Sequence, residues 1–406
     1  MIYLIINSSI YLAFYIHAVL KKGYKNEIAL LPLIWFVSSV FTIFYFNSPV
    51  VYNDVSSDLT LEPFLWLAGL FLMFYIFLYK NNSDKCVNIT VGSDKIFNLI
   101  VTVIVICAIP PFIENLIHLA RGGVDLNAML SVKDDGLKIS GQEHLTWISA
   151  RLENISGIAF LAIPIFIFYL LSQGDKKKGI VIGLGLTFLN GLMHNVIIGA
   201  RNTLIQSTIY LLYCYLFFHG RLNASVKKFV MKVAMVFGGL VFLYIVYISI
   251  FRFQDTKGGV TALDVFYLYA GESFYNFNCD AWWTNYHYGG EKTFENLIAI
   301  FDPSYKGVTK SMDIRTWALY TCFADALMDY GKIVPYVIAF LLLTVINVFF
   351  KYKKTTNIGT LIIVFSVAFY IINGFLYNPY TNLWRGLIAS IIIALILYIK
   401  PDKKRL

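Results

Sequence analysis

The sequence predicts an all-α membrane protein, a polytopic helix bundle of about eleven spans with a large, partly helical extracytoplasmic loop. Three observations predict this fold. Hydrophobic residues make up 58% of the 406-residue chain, charged residues make up 14%, and the mean hydropathy is +0.67, whereas soluble domains are much more polar. Apolar stretches of the length that crosses a bilayer, about 20 residues, recur along the chain. Lysine is concentrated in every second connection between them.

The predicted spans are the stretches that are both long enough and apolar enough to cross a membrane. They are 2–20, 28–46, 63–79, 97–118, 148–171, 180–198, 203–219, 229–251, 332–350, 358–377 and 383–399. The first has no basic segment before it and no small-residue cleavage site after it, which favours a span over a removable signal sequence. We therefore expect one integral membrane domain over 1–406.

The lysine-rich connections predict the orientation of the chain. These clusters are Lys21, Lys22 and Lys25; Lys80, Lys85 and Lys95; Lys176 to Lys178; Arg221, Lys227 and Lys228; Lys351, Lys353 and Lys354; and Lys400, Lys403, Lys404 and Arg405. Positively charged residues are retained on the cytoplasmic side of a membrane. The alternation therefore predicts an N-terminus outside and a C-terminus in the cytoplasm.

Two of the predicted outer loops are long, 119–147 and 252–331. The second is too long for a bare connection and is expected to contain its own helices. Within it, residues 262–278 combine aromatic and aliphatic side chains with Asp264 and Glu272, a composition typical of a helix lying flat on the membrane. The alternative is a twelfth span, which would place the C-terminus outside and make the last two lysine clusters break the rule.

Arginine is distributed differently from lysine. At or near the predicted outer face lie Arg121, Arg151, Arg201, Arg252, Arg315 and Arg385, and only Arg221 and Arg405 lie inside. The guanidinium group is a rigid, weakly hydrated fork that binds phosphate or carboxylate through two points, whereas lysine is a hydrated point charge. The distribution therefore indicates an anionic substrate handled at the outer face.

Arg201 is the most informative of these arginines, because it lies in a short turn, 199–202, between two spans. A charge in that position is functional or extends to the membrane interface, and the adjacent Gly199 and Ala200 leave room for a phosphate near the backbone. Arg252 and Arg315 flank the large loop, and Arg385 opens the last span. For each of them the alternative is an anchor to lipid headgroups.

Residues suited to acid–base chemistry are less sharply indicated. Glu272 and His287 lie in the large loop, where either could take a proton from a hydroxyl nucleophile. Asp325 and Asp329 are four residues apart and would share one face of a helix over 317–331. Pairing with an arginine is the simpler interpretation of both aspartates.

The remaining polar residues have plain interpretations. Arg151 can pair with its neighbour Glu153, and His194 fits a hydrogen-bonded core histidine. Cys279 and Cys322 could form a disulfide, but the cysteines show no metal-binding spacing, and we expect neither a metal nor a cofactor. The net charge of +9 comes mostly from lysines beside spans, which favours anionic membrane lipids over nucleic acid as partners.

Aromatic residues are dense in the large loop: Tyr267, Tyr269, Phe274, Tyr275, Trp282, Trp283, Tyr286 and Tyr288. Flat apolar sugar faces stack on such rings, although a belt at the membrane interface uses the same residues. Tyr275 and Trp283 are the candidates for sugar binding, together with Arg151, Arg385, Asp325 and Asp329 as further substrate-binding residues.

The chain resembles the Wzy-type oligosaccharide repeat unit polymerases, or O-antigen polymerases. The resemblance depends on the number of spans, the Gly-Ala-Arg-Asn turn at 199–202, the large loop, its continuation at 329–332 and Leu-Trp-Arg-Gly at 383–386. It implies a fold similar to the GT-C-type membrane glycosyltransferases, in the bacterial cytoplasmic membrane. It also implies a role in the synthesis of polysaccharides such as lipopolysaccharide O-antigen or capsule.

The same resemblance implies the reaction. The substrates would be two undecaprenyl-pyrophosphate-linked oligosaccharides, a donor and an acceptor, with a chain-length regulator as a further partner. Arg201 and Arg252 would bind the departing pyrophosphate, and Arg315 or Arg385 would orient the second lipid-linked chain. The alternatives are a flippase or transporter for the same lipid-linked sugar, an O-antigen ligase, and a membrane acyltransferase, for which His17 lacks an acidic neighbour.

Overall fold

A computed structural model describes most of the chain. The described residues are 1–49, 58–122, 142–174, 178–197, 201–253, 261–284, 288–291, 294, 298, 302, 319–376 and 383–398, with the backbone alone at 201, 237, 242, 245–253, 262 and 383–387. The helices are α1 (Ile2–Lys22), α2 (Glu27–Phe46), α3 (Glu62–Lys80), α4 (Asp94–Ala120), α5 (Trp147–Ile158), α6 (Ala162–Ser172), α7 (Lys178–Ile197), α8 (Arg201–Phe218), α9 (Ala224–Phe253), α10 (Ala262–Cys279), α11 (Phe323–Tyr330), α12 (Val334–Phe349), α13 (Ile358–Ile372) and α14 (Leu383–Tyr398). Strands β1 (Asn88–Thr90) and β2 (Thr355–Asn357) form a parallel pair.

A helix lies at every predicted span. Within the described residues, six helices are long and apolar enough to cross a membrane, and a seventh is counted if the bent pair α5 and α6 is one span. The six are Ile2–Lys22, Glu27–Phe46, Glu62–Lys80, Asp94–Ala120, Lys178–Ile197 and Ile358–Phe375. The chain is therefore helical, with several helices that are suited to crossing a membrane. The count of eleven spans stays a prediction.

The predicted span 148–171 is a bent pair of helices, with a break between α5 and α6 and a bend of 66°. Pro164, in the first turn of α6, has no N–H to donate to the Phe160 carbonyl, so a break at this point loses no hydrogen bond there. The Tyr210 hydroxyl donates to the Leu161 carbonyl at 2.8 Å. That bond satisfies a backbone group at the break, which is the condition for irregular backbone at membrane depth.

The chain divides into two compact units. The first comprises Met1–Asn82, Ser249–Lys351 and Val367–Arg385. Its core is centred on Trp35, whose indole N–H donates to the Ile371 carbonyl at 3.0 Å. Aromatic rings surround that indole within 6 Å, contributed by Tyr11, Phe71, Phe274 and Phe323. Tilted and edge-to-face ring pairs of this kind stabilise a core beyond the apolar area that they bury.

Helix α10 is buried over its second half, whereas its composition predicted a helix lying flat on the membrane. Residues 271–279 are all buried, whereas a helix at an interface keeps one face in solvent. It packs across α2, where the Ser38 hydroxyl donates to the Ala270 carbonyl at 2.7 Å and the Thr42 hydroxyl donates to the Gly271 carbonyl at 2.8 Å. Small residues let two helix backbones approach this closely.

Gly271→Ala is expected to destabilise the protein strongly. An added Cβ would overlap the carbonyl of Phe41 in α2, so the two helices must separate, and overpacking of this kind costs about 1–3 kcal/mol or more. The thermal midpoint of the protein in detergent measures the effect. Gly238→Ala is the matched control, because a Cβ there meets nothing within 4 Å. Equal midpoints for the two variants would contradict the close packing of α10 on α2.

The second unit comprises Ser83–Ile248, Tyr352–Ser366 and Gly386–Leu406. At one end of it, the Arg221 guanidinium donates to the carbonyls of Ser83 and Cys86, and β1 pairs with β2. Neighbouring lysine-rich connections of the chain therefore meet at this end. α4 begins there and runs 27 residues, so that about 30 Å of helix separates Asp94 from Asn115. This is about the thickness of the hydrocarbon core of a bilayer.

Candidate functional site

The structure does not describe the side chains of most of the predicted arginines. Arg201 is the first residue of α8, Arg252 precedes the last residue of α9, and Arg385 is in the first turn of α14. Arg315 and His287 lie outside the described residues. The assignment of these residues to a substrate therefore stays a prediction.

Arg151 is exposed, and its guanidinium carbon lies 5.8 Å from the centre of the Trp147 ring. A cation over an indole at this distance is a weak stabilising contact on an exposed surface. The neighbouring Glu153 instead points into the protein, as described below.

Glu272, predicted as a base, is buried and bonded within the core of the first unit. Its Oε1 accepts the Leu319 N–H at 3.2 Å and its Oε2 accepts the Asn276 amide at 3.4 Å. The same Asn276 amide donates to the Leu319 carbonyl at 3.0 Å. These bonds hold the backbone segment at Leu319 against α10, and the catalytic role of Glu272 stays a prediction.

The other predicted residues of the first unit differ in their surroundings. Asp325 and Asp329 lie on the short helix α11, with Asp325 half-buried and Asp329 buried. Tyr275 is buried edge-to-face against Tyr45, their ring centres 5.5 Å apart. Trp283 is 44% exposed, so of the two aromatic candidates only Trp283 presents a ring to a ligand in the described structure.

The second unit contains a polar site that the sequence analysis did not identify, at the end of α4 opposite the β1–β2 pair. We call it the Glu153 cluster and define it as Asn115, Gln142, His144, Glu153, Asn190 and His194. Asn115 comes from α4, Glu153 from α5, and Asn190 and His194 from α7. Gln142 and His144 lie on the connection that leads into α5.

Glu153 is the centre of the cluster, with only 7% of its surface exposed. Its Oε1 accepts the Asn115 amide at 3.0 Å and the Asn190 amide at 3.5 Å, and its Oε2 accepts the Gln142 amide at 2.9 Å. All three partners donate to the carboxyl oxygens. An acidic side chain inside a membrane protein is a feature usually associated with function.

His194 faces this carboxylate. Its Nδ1 lies 3.6 Å from Glu153 Oε2, and its side chain is 24% exposed. The contact is an ion pair only if the ring is protonated. At 3.6 Å it is longer than a hydrogen bond, and Nδ1 makes no hydrogen bond within the described structure. His194 is one turn from the end of α7, and its neighbour Val196 accepts the Tyr244 hydroxyl at 2.9 Å. The pair can accept a proton from a hydroxyl group.

His144 forms the other side of the cluster. The Asn115 amide nitrogen faces acceptors on Glu153 and Asn190, so its oxygen must accept, and His144 Nε2–H donates to it at 2.6 Å. The His144 ring also stacks on His118, their centres 4.0 Å apart. Burial first, and then the adjacent His118, lower the pKa of His144 below its ordinary value.

The stability of the second unit is expected to fall with acid because of His144. A histidine whose pKa is lowered by folding stabilises the fold fully above its ordinary pKa of about 6.5, and this contribution is lost as the pH falls toward the folded-state value. The thermal midpoint of the wild type should therefore drop between pH 7.5 and pH 5, and His144→Asn should show a smaller drop. An identical pH dependence in the two proteins would contradict the assignment.

A second carboxylate supports the connection that carries His144. Glu114 accepts the Thr146 N–H at 2.8 Å and hydroxyls of Thr146 and Ser149 at 3.0 and 2.7 Å. Thr146 is also the N-cap of α5, its hydroxyl accepting the Ser149 N–H. Capping and the carboxylate together fix where α5 begins, and hence where Glu153 lies relative to α4.

The sequence does carry a signal for this cluster. Asn115, Asn190 and His194 interrupt otherwise apolar helices, and polar residues within spans pair with one another inside a bundle. No spacing connects residues from three separate helices, however, so the sequence alone gave no reason to group them. It predicted pairing of Glu153 with Arg151 and a hydrogen-bonded core position for His194.

Comparisons with family models, with curated proteins and with solved structures give no match to this chain. In the part of the chain that the structure describes, no group of three or more His, Cys, Asp or Glu side chains is arranged to hold a metal ion.

Proposed function

We propose that the protein is a membrane glycosyltransferase that joins lipid-linked oligosaccharide repeat units at the outer face of the bacterial cytoplasmic membrane. The observation that carries the proposal is the Glu153–His194 pair, in which a buried carboxyl group lies 3.6 Å from an imidazole. His194 lies seven residues before Arg201. A general base for the attacking hydroxyl and a fixed guanidinium group for the leaving diphosphate each accelerate transfer of a sugar from a diphosphate.

The depth of the cluster supports this location. Asn115 is separated by about 30 Å of helix from the start of α4, and α4 begins beside the connections rich in lysine. Because lysine is retained on the cytoplasmic side, the Glu153 cluster belongs at the outer side, where sugars carried by undecaprenyl pyrophosphate are polymerised. The N-terminus outside and the C-terminus in the cytoplasm follow from the same reasoning.

The short distance between His194 and Arg201 supports binding of one substrate by both residues. His194 is three residues from the end of α7, and Arg201 begins α8. Helical rise and chain length limit the distance between their Cα atoms to about 20 Å. Both side chains can therefore contact one lipid-linked sugar.

The reaction is a displacement at the anomeric carbon of the donor. A hydroxyl oxygen of the acceptor forms the new bond to that carbon while the bond to the diphosphate oxygen breaks, and the hydroxyl proton passes to His194 Nε2. Negative charge gathers on the leaving diphosphate, where Arg201 supplies a fixed donor pair. Arg252 keeps the leaving-group role that the resemblance implies, and Arg315 or Arg385 keeps the role of orienting the second chain.

The proposal is tested by incubating the purified protein in lipid nanodiscs or proteoliposomes with lipid-linked repeat units. A ladder of products that grow by one repeat supports a polymerase. Transfer of the glycan to a different lipid would instead identify a ligase. Intact substrate that changes leaflet would identify a flippase. The location of the titratable cluster at one end of α4, rather than midway along it, favours the polymerase over a transporter with a site at mid-membrane.

A further inference from the structure

We infer that the Glu153 cluster binds the neutral, polyhydroxylated end of the acceptor glycan and excludes the diphosphate. The inference rests on the proposed polymerase function, because it names which part of the substrates this site takes. It divides the site into a carboxylate and imidazole part for the acceptor and an arginine part for the donor.

The acidic side chains of the cluster favour a neutral ligand. Glu153 is buried, Glu114 is the residue before Asn115 on α4 and is partly exposed, and both carboxyl groups act on His144. Charges of the same sign repel strongly when they are screened by little water. A diphosphate placed beside Glu153 would meet this repulsion, whereas a sugar hydroxyl carries no net charge.

The two histidines of the cluster favour a ligand that donates hydrogen bonds. His144 donates through Nε2 to Asn115, which leaves Nδ1 as an acceptor when the ring is neutral. His194 makes no hydrogen bond within the described structure, its Nδ1 lying 3.6 Å from Glu153 Oε2, so a neutral His194 also has one ring nitrogen that can accept, which we take as Nε2. Neither nitrogen has a protein partner within the described structure. An ionised phosphate oxygen has no hydrogen to give them, whereas a hydroxyl does.

Asn154 adds a hydrogen-bond donor beside the two histidine acceptors. It is exposed, its side-chain oxygen accepts the Gln142 amide at 3.3 Å, and its amide nitrogen has no partner among the described residues. Two acceptors and one amide donor at the edge of a buried carboxylate match a sugar ring, whose hydroxyls both donate and accept.

The test measures binding of two probes to the full-length protein in nanodiscs. The first probe is the repeat-unit oligosaccharide released from its lipid by mild acid, which carries neither lipid nor diphosphate. The second is undecaprenyl diphosphate without sugar. Glu153→Gln is expected to weaken oligosaccharide binding about tenfold, the effect of losing a charge-assisted interaction, and to leave the Kd of undecaprenyl diphosphate unchanged.

Two further variants separate binding from folding. Asn154→Ala removes an exposed amide outside the core and should weaken oligosaccharide binding without lowering the thermal midpoint. Glu62→Gln, an exposed carboxylate 3.6 Å from Lys332 in the first unit, should change the binding of neither probe.

The outcomes distinguish this inference from the proposed function. Weaker binding of undecaprenyl diphosphate in Glu153→Gln, or oligosaccharide binding that ignores both Glu153→Gln and Asn154→Ala, overturns the acceptor site even if the wild type makes a ladder. Failure of the wild type to bind the oligosaccharide overturns it as well. Loss of oligosaccharide binding in both variants, with no ladder from the wild type, supports the sugar site and overturns the polymerase.

Discussion

Arg201→Lys is expected to lower the rate of polymerisation about 10²–10³-fold, the cost of losing one fixed donor to a developing negative charge. Lysine keeps the positive charge but loses the two-point fork that grips a diphosphate. The initial rate of ladder formation at saturating substrate measures the effect, because an interaction made mainly in the transition state changes kcat rather than KM.

Arg121→Lys is the matched control for this experiment. Arg121 follows the last residue of α4 and is exposed, and its backbone, not its side chain, makes the contacts that end the helix. Its replacement should leave the rate near that of the wild type. A normal ladder from Arg201→Lys would count against the diphosphate role of Arg201, whatever the control does.

His194→Gln is expected to lower kcat about 10²–10⁴-fold, the usual contribution of a positioned general base. Glutamine keeps a polar side chain facing Glu153 Oε2 but cannot take up a proton, so binding of the acceptor should suffer less than the chemical step. Single-turnover rates with preformed donor complex separate the two effects.

A histidine elsewhere in the chain provides the comparison. His17 lies in the first unit, its Nδ1 3.5 Å from the Tyr75 hydroxyl. His17→Gln should retain most of the activity. If His194→Gln retains as much, the Glu153–His194 pair is a structural pair, and the proton of the attacking hydroxyl leaves by another route.

The positions of the helices could be predicted from the sequence because each is encoded locally. Apolar length and flanking lysines mark the ends of α1, α2 and α3 within a few residues. The break before Pro164 is not predicted, because residues 157–164 around it contain no charged residue and hydropathy measures composition rather than direction. The β1–β2 pair was missed because three residues per strand carry no periodic pattern.

The site was less predictable because it is assembled from distant parts of the chain. The Asn115–Glu153 bond joins residues 38 positions apart, and the Asn115–Asn190 bond joins residues 75 apart. Glu272 is buried, which its place in an aromatic loop does not indicate. Its burial in α10 could be recognised only once Gly271 was seen against α2.

The account depends most on the Glu153 cluster and Arg201 opening to the outer aqueous phase. Single cysteines at Asn154 and Arg201, with Lys353 as the opposite-side control, can be labelled in intact cells by a membrane-impermeant thiol reagent. The account predicts labelling at 154 and 201 before permeabilisation and at 353 only afterwards. Labelling at 353 in intact cells, with 154 and 201 protected until the membrane is opened, would contradict it.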